Sequence, residues 1–227
     1  MKILSITRAI VFVALVFSIS SCVKSDPLPP VAYLNIVHFS PRASNLYFKL
    51  EPNWLTPDNF EYRSYTGYLR AHPGTRSLSV YQRRNEAKLL STTFSLKEGH
   101  AYSLFLIDTL SKMEAVLLHD STRHAGEDSV KIRFANFIPD VPEVDFYIQG
   151  NNTPVATGID YKTANEFFSM KAANNVVFEV KAAGSSVVLA TAEKIDLVNR
   201  NVYTISANGY QSLTDEGKII IGRMRHL

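Results

Sequence analysis

The chain has 227 residues, with 24 Lys and Arg against 21 Asp and Glu and a formal net charge of +3. That balance excludes the strongly basic footprint of a nucleic-acid-binding protein. A single cysteine excludes an internal disulfide framework and a Cys-built metal centre, and the length suffices for one or two ordinary cores.

The chain opens with Lys2 and Arg8, runs through a continuous apolar stretch from Ile10 to Phe17, and reaches "SISSC". A charged start, a short apolar centre and small residues form the layout of a secretory signal, here residues 1–21. The apolar stretch is shorter than the roughly 20 residues a membrane span needs. Ile19-Ser20-Ser21-Cys22 resembles the bacterial lipobox, in which the chain is cut before a cysteine that then carries lipid. The resemblance implies that Cys22 is the first residue of the mature chain and that a membrane is its partner through that lipid. It places the protein in the cell envelope, lipid-anchored to the outer membrane and facing either the periplasm or the surface. Cleavage removes Lys2 and Arg8, which leaves acids and bases nearly balanced, and no free thiol remains as a nucleophile. Residues 22–30 contain Pro27, Pro29 and Pro30. They read as an extended tether, because proline forbids helix and favours polyproline-like backbone.

Beyond the tether the chain repeats itself. "YLNIVHFSPRASNLYFKLE" from Tyr33 aligns without a gap on "KIRFANFIPDVPEVDFYIQG" from Lys131. Leu34 meets Ile132, Ile36 meets Phe134, Pro41 meets Pro139 and Phe48 meets Phe146. Two later echoes come in the same order, and the last sets Tyr102 over Tyr203. Each copy reads as short strands with apolar residues at period 2. Turn signals such as Pro73-Gly74, Glu98-Gly99 and Asn208-Gly209 separate them. The fold expected is all-β, two tandem immunoglobulin-like antiparallel β-sandwich domains after the signal peptide. The first module spans residues 31–119, a polar linker 120–129, and the second module 130–227.

The candidate chemistry is sparse. Trp54, the only tryptophan, lies in the stretch "EPNWLTPDN", which reads as an insertion present only in the first copy. It is either an exposed binding anchor or a ring folded back over the sheet edge or the domain interface. Asp140, Glu143 and Asp145 form the densest group of carboxylates. If Val144, Phe146 and Ile148 face the core, Glu143 and Asp145 point to the opposite, solvated side. His38, on an apolar strand, reads as a core or edge histidine bonded to backbone. His119 and His124 flank Asp120 in the linker. No nucleophile elbow, phosphate loop, dinucleotide fingerprint or metalloprotease motif occurs. The expectation is therefore no catalytic residue, no metal and no cofactor.

Arg133, Asn136, Pro139, Asp140, Pro142, Val144, Asp145, Tyr147 and Gly150, followed by Tyr161, Leu197, Tyr203 and Thr204, resemble the signature of the domain of unknown function 4397 family. These are secreted bacterial β-sandwich modules, often in tandem in lipoproteins. The first copy keeps Pro41, Phe48, Tyr62, Leu96, Gly99 and Tyr102 but departs at the acids. The resemblance implies the sandwich and carries no reaction. The function expected is a non-enzymatic envelope lipoprotein whose two modules serve adhesion, assembly, or binding of a glycan or an envelope protein. The alternatives are a carbohydrate-active enzyme using the exposed acids of the second module, and a purely structural periplasmic spacer.

Overall fold

The structure, a computed structural model, describes residues 29–226. The signal segment, Cys22 and most of the tether lie outside the described residues. The described chain is β-sheet throughout, with one short 3₁₀ turn at Leu110–Lys112.

The first unit contains β1 (Ala32–Phe39), β2 (Leu46–Leu50), β3 (Asn53–Leu55), β4 (Leu69–Ala71), β5 (Gly74–Gln82), β6 (Lys88–Leu96), β7 (Ala101–Ile107) and β8 (Glu114–Asp120). The second contains β9 (Ser129–Phe137), β10 (Glu143–Ile148), β11 (Ala156–Asp160), β12 (Thr163–Ala164), β13 (Phe168–Lys171), β14 (Ala173–Val176), β15 (Phe178–Ala182), β16 (Val188–Thr191), β17 (Ile195–Leu197), β18 (Val202–Asn208) and β19 (Ile220–Arg225). In the first unit, sheet β4-β1-β7-β8 faces sheet β3-β2-β5-β6. In the second, sheet β12-β9-β18-β19, with β13 also on β9, faces β11-β10-β15-β16, and β14 pairs β17.

The two units share one register. Leu34 stands opposite Tyr102 in the pairing of β1 with β7, and Ile132 stands opposite Tyr203 in the pairing of β9 with β18. These are the residues that the internal alignment superposes. Both pairings are parallel, so these two sheets are mixed, while β3-β2-β5-β6 and β11-β10-β15-β16 are antiparallel throughout, as expected. The first strand of each unit joins the sheet of the penultimate strand after the chain has crossed to the other sheet and back. Each of these tyrosines also accepts a hydrogen bond from a backbone N–H five residues earlier, Lys97 at 3.3 Å and Val198 at 3.2 Å. This is the corner device of immunoglobulin-like sandwiches.

The stretch around Trp54, expected to be an insertion, contains β3, which pairs with β2 in the place that β11 takes beside β10. The segment expected to be a linker is shorter at both ends. Asp120 closes β8 and Ser129 opens β9.

Leu34, Ile36, Leu104 and Leu106 meet Leu46, Phe48, Leu78 and Val80 inside the first sandwich. Ile132, Phe134 and Ile205 meet Phe146, Phe178 and Val180 inside the second. The intervening residues of β1, β7, β9 and β18 are buried too. A third cluster explains this: Val37, Phe39, Phe105 and Ile107 of one unit pack on Ala135, Phe137 and Met224 of the other. Phe105 and Phe137 have ring centroids 4.6 Å apart. The sandwiches therefore stack through their outer faces into four layers of sheet, and burial on both faces favours the near-continuous apolar runs of these strands.

Candidate functional site

The corner after the first strand is built alike in both units. His38 donates from Nε2 to the Ala43 carbonyl at 2.7 Å, and its Nδ1 accepts from the Ser40 N–H at 3.3 Å. Asn136, the residue aligned with it, donates to the Val141 and Ile159 carbonyls and accepts from the Ile138 N–H at 3.0 Å. Burial lowers the His38 pKa to about 4, so the ring is neutral and acts as a backbone cross-link.

The three acids of the second unit do not converge on a free site. Asp140 accepts from the Gln211 and Ser212 N–H groups, both at 2.9 Å, and so clamps the loop after β18. Burial opposes its ionisation, but these two donors outweigh it and hold the carboxyl below its ordinary value. Asp145 corrects the expectation of a solvated row. It is only 6 % exposed, because Oδ1 takes the Gly158 N–H at 2.9 Å and Oδ2 takes the Gly184 N–H at 3.1 Å. It faces away from the core as the strand period requires, yet two glycine turns close over it. Glu143 is exposed as expected, beside Gly158, and Asp140 is exposed as well despite its two backbone donors. Among the described residues, no group of three or more His, Cys, Asp or Glu side chains is arranged to hold a metal.

Trp54 sits where the outer face of sheet β3-β2-β5-β6 meets solvent, 53 % exposed. It is neither isolated nor folded over the edge. Tyr47 of β2 stands opposite Tyr81 of β5, and Trp54 of β3 stands opposite Lys49 of β2. The three rings form a triangle with centroids 5.3–5.7 Å apart. Tyr47 is nearly parallel to both neighbours, at 29° to Trp54 and 24° to Tyr81. Each ring is bordered by a cation: Lys49 at 5.6 Å from Trp54, Arg83 at 5.5 Å from Tyr47 and Lys88 at 5.8 Å from Tyr81. Arg83 also bonds Asn45 Oδ1 and the Pro57 carbonyl, which fixes the loop beside the rings. Along the same face, Ser77 and Ser79 of β5 stand opposite Thr93 and Ser91 of β6, a row of hydroxyls. In the second unit the positions of Tyr47 and Tyr81 are held by Asp145 and Lys181, so the stack belongs to the first sandwich alone. Trp54 was legible as a lone tryptophan. Tyr47 and Tyr81 alternate with core residues and so share the outer face, but their meeting with Trp54 depends on the pairing of β3, β2 and β5.

A polar network that sequence reasoning missed closes one end of the seam. Asp120 Oδ1 pairs with Arg133 Nη2 at 2.5 Å, with side-chain exposures of 0 % and 5 %. Ser103 Oγ and Tyr68 OH donate to Asp120 Oδ2 at 2.6 and 2.8 Å. Arg133 also donates from Nε to Thr204 Oγ1 at 2.8 Å and from Nη1 to the His119 carbonyl at 2.7 Å. His226 bridges Tyr68 and Thr204, at 2.6 and 2.7 Å. Burial would raise the Asp120 pKa, but His226, Arg133 and Ser103 together outweigh it and hold the carboxyl below its ordinary value.

No curated protein matches the chain. Among solved structures it is similar to family 41 carbohydrate-binding modules from streptococcal virulence factors, described for α-glucan recognition. Identity is 14 %, coverage 84 % of this chain and 96 % of that one, and the TM-score 0.28. It is also similar to the family 26 module CBMbc of Eubacterium rectale Amy13K in complex with maltoheptaose. Here identity is 9 %, coverage 86 % and 97 %, and the TM-score 0.27. The family model for a domain of unknown function, DUF4397, matches residues 32–147 and again residues 131–219. With nearly every described strand inside those two matches, the chain belongs to the domain of unknown function 4397 family.

Proposed function

We propose that this protein is a non-enzymatic, lipid-anchored component of the bacterial cell envelope, and that its first sandwich binds carbohydrate through the Trp54 stack. The observation that carries the reading is the ring triangle of Tyr47, Trp54 and Tyr81, open to solvent at the indole. A pyranose presents one apolar face and a rim of hydroxyls. An exposed aromatic ring covers the first, and the neighbouring cations and hydroxyls meet the second. The stack is already ordered by its own packing, so little conformational freedom is lost on binding.

The acids support the non-enzymatic part of the reading. Glycoside hydrolysis needs two free carboxyl groups across a cleft, and Asp140 and Asp145 are both spent on backbone N–H groups. Lipid anchoring rests on the lipobox-like run before Cys22 and lies outside the described residues. Incorporation of labelled palmitate, lost in Cys22→Ser, tests it. The sugar reading is tested by titrating soluble oligosaccharides while following tryptophan emission. Saturable change with at least one glycan is expected, and because Trp54→Ala leaves no tryptophan to report, loss of binding in that variant is read by isothermal titration calorimetry. Flat emission across neutral and acidic glycans would overturn it.

A further inference from the structure

We infer that the cleft where the two sandwiches meet is a second binding site, taking a small oxyanion group such as a phosphate or a carboxylate. It is independent of the Trp54 stack, which lies on the other sheet of the first sandwich.

The cleft encloses about 620 Å³ and draws its walls from both units and from the connector between them. The first unit supplies His100, in the turn before β7, and His119 of β8, their rings 5.1 Å apart. The connector supplies Arg123. The second unit supplies Lys131 and, toward the floor, Arg133 over the Phe167 ring at 4.6 Å. Against these stand two carboxylates, Asp120 and Glu166. Asp120 is turned inward and engaged by Arg133, Ser103 and Tyr68, so it does not neutralise the lining.

The remaining cations, Arg123 and Lys131, outnumber Glu166, and two imidazoles add donors when protonated. Lys131 spends one donor on Ser121 Oγ at 3.1 Å and keeps two for a ligand. The His100 Nδ1 donates to the Glu98 carbonyl at 2.8 Å, which fixes the ring and leaves Nε2 for a second partner. Burial and the neighbouring His100 both lower the His119 pKa, a like-charge cost that a bound anion would relieve. A concave site with convergent cationic donors at a junction between units is where small charged ligands bind.

The test uses the full chain, histidine-ring NMR, and inorganic phosphate and acetate titrated separately at constant pH and ionic strength against chloride. Saturable shifts at His100 and His119, with His72 unmoved as an internal control, are expected. Saturation by phosphate, by acetate or by both supports the site and identifies the ligand source. The double substitution Arg123→Gln with Lys131→Gln, both lining the cleft and neither part of a core cluster, should weaken the response about tenfold while thermal unfolding stays close to that of the parent. Shifts that do not saturate with either anion, or that the double substitution leaves unchanged, would overturn the inference. Loss of glycan binding at Trp54 would not touch it.

Discussion

Asp120 and Arg133 form a buried ion pair between the last strand of one sandwich and the first strand of the next, at 2.5 Å. Removing one partner leaves the other charged and dry. Asp120→Ala should therefore cost roughly 3–5 kcal/mol in chemical denaturation. Replacing both, as Asp120→Leu with Arg133→Met, should recover only part of that loss, because the charges go but Ser103 Oγ and the His119 carbonyl lose their partners. The folded-state pKa of Asp120 is depressed. Its contribution is present above the unfolded carboxyl value and is lost as pH falls through the lower, folded one.

His38 predicts a second, separate pH dependence. The folded value of about 4 lies under the ordinary 6.5, so protonation favours the unfolded chain. Stability should be complete above 6.5 and fall by roughly 3 kcal/mol as pH drops toward 4. His38→Asn installs the residue that does the same work at position 136. Melting measured across that window should lose the His38 slope while the fold is retained.

The carboxylates of the second unit should separate cleanly. Asp145→Ala strands two N–H groups and should cost about 2–3 kcal/mol in urea unfolding. Glu143→Gln should stay within about 0.5 kcal/mol of the parent. Equal effects would mean that Asp145 does not hold the Gly158 and Gly184 turns.

Arg200 occupies a left-handed position, φ 63°, where the first unit has Gly99 at φ 72°. The backbone bonds agree, Gly99 to the Val31 carbonyl and Arg200 to the Ser129 carbonyl. Arg200→Gly should stabilise the chain by about 0.5–1 kcal/mol, read as a raised melting temperature.

Trp54 is the one tryptophan, so its emission reports the ring stack alone. Trp54→Ala should abolish glycan binding with a small change in stability, since the ring is 53 % exposed. Tyr81→Ala should weaken binding less, because Tyr81 meets the ligand only beside Trp54. A Tyr81 effect larger than the Trp54 effect would relocate the contact.

The duplication was legible because matched core positions, Leu34 with Ile132 and Tyr102 with Tyr203, recur in one order, and the strand register comes from them. The seam was not legible. Val37, Phe105 and Phe137 sit where a lone sandwich would face water, and period-2 reading gives no sign that a second apolar layer covers them. Asp145 was misjudged for a related reason. Alternation tells which side of a sheet a residue is on, but not that Gly158 and Gly184 fold over it. The Trp54 stack lay half in view, since ring proximity across β3, β2 and β5 depends on pairing that the alignment does not supply.

The parallel union of β1 with β7 has a consequence for how the molecule is made. Leu34 and Tyr102 are hydrogen-bonded neighbours but lie almost a full repeat apart in the chain. The central pair of the sheet cannot form until nearly the whole repeat has emerged, and closing so long a loop slows folding. The first repeat, once formed, still exposes Val37, Phe105 and Ile107 until the second arrives to cover them. Assembly thus has an order and a vulnerable middle, in which a half-made chain is sticky and a finished one is not.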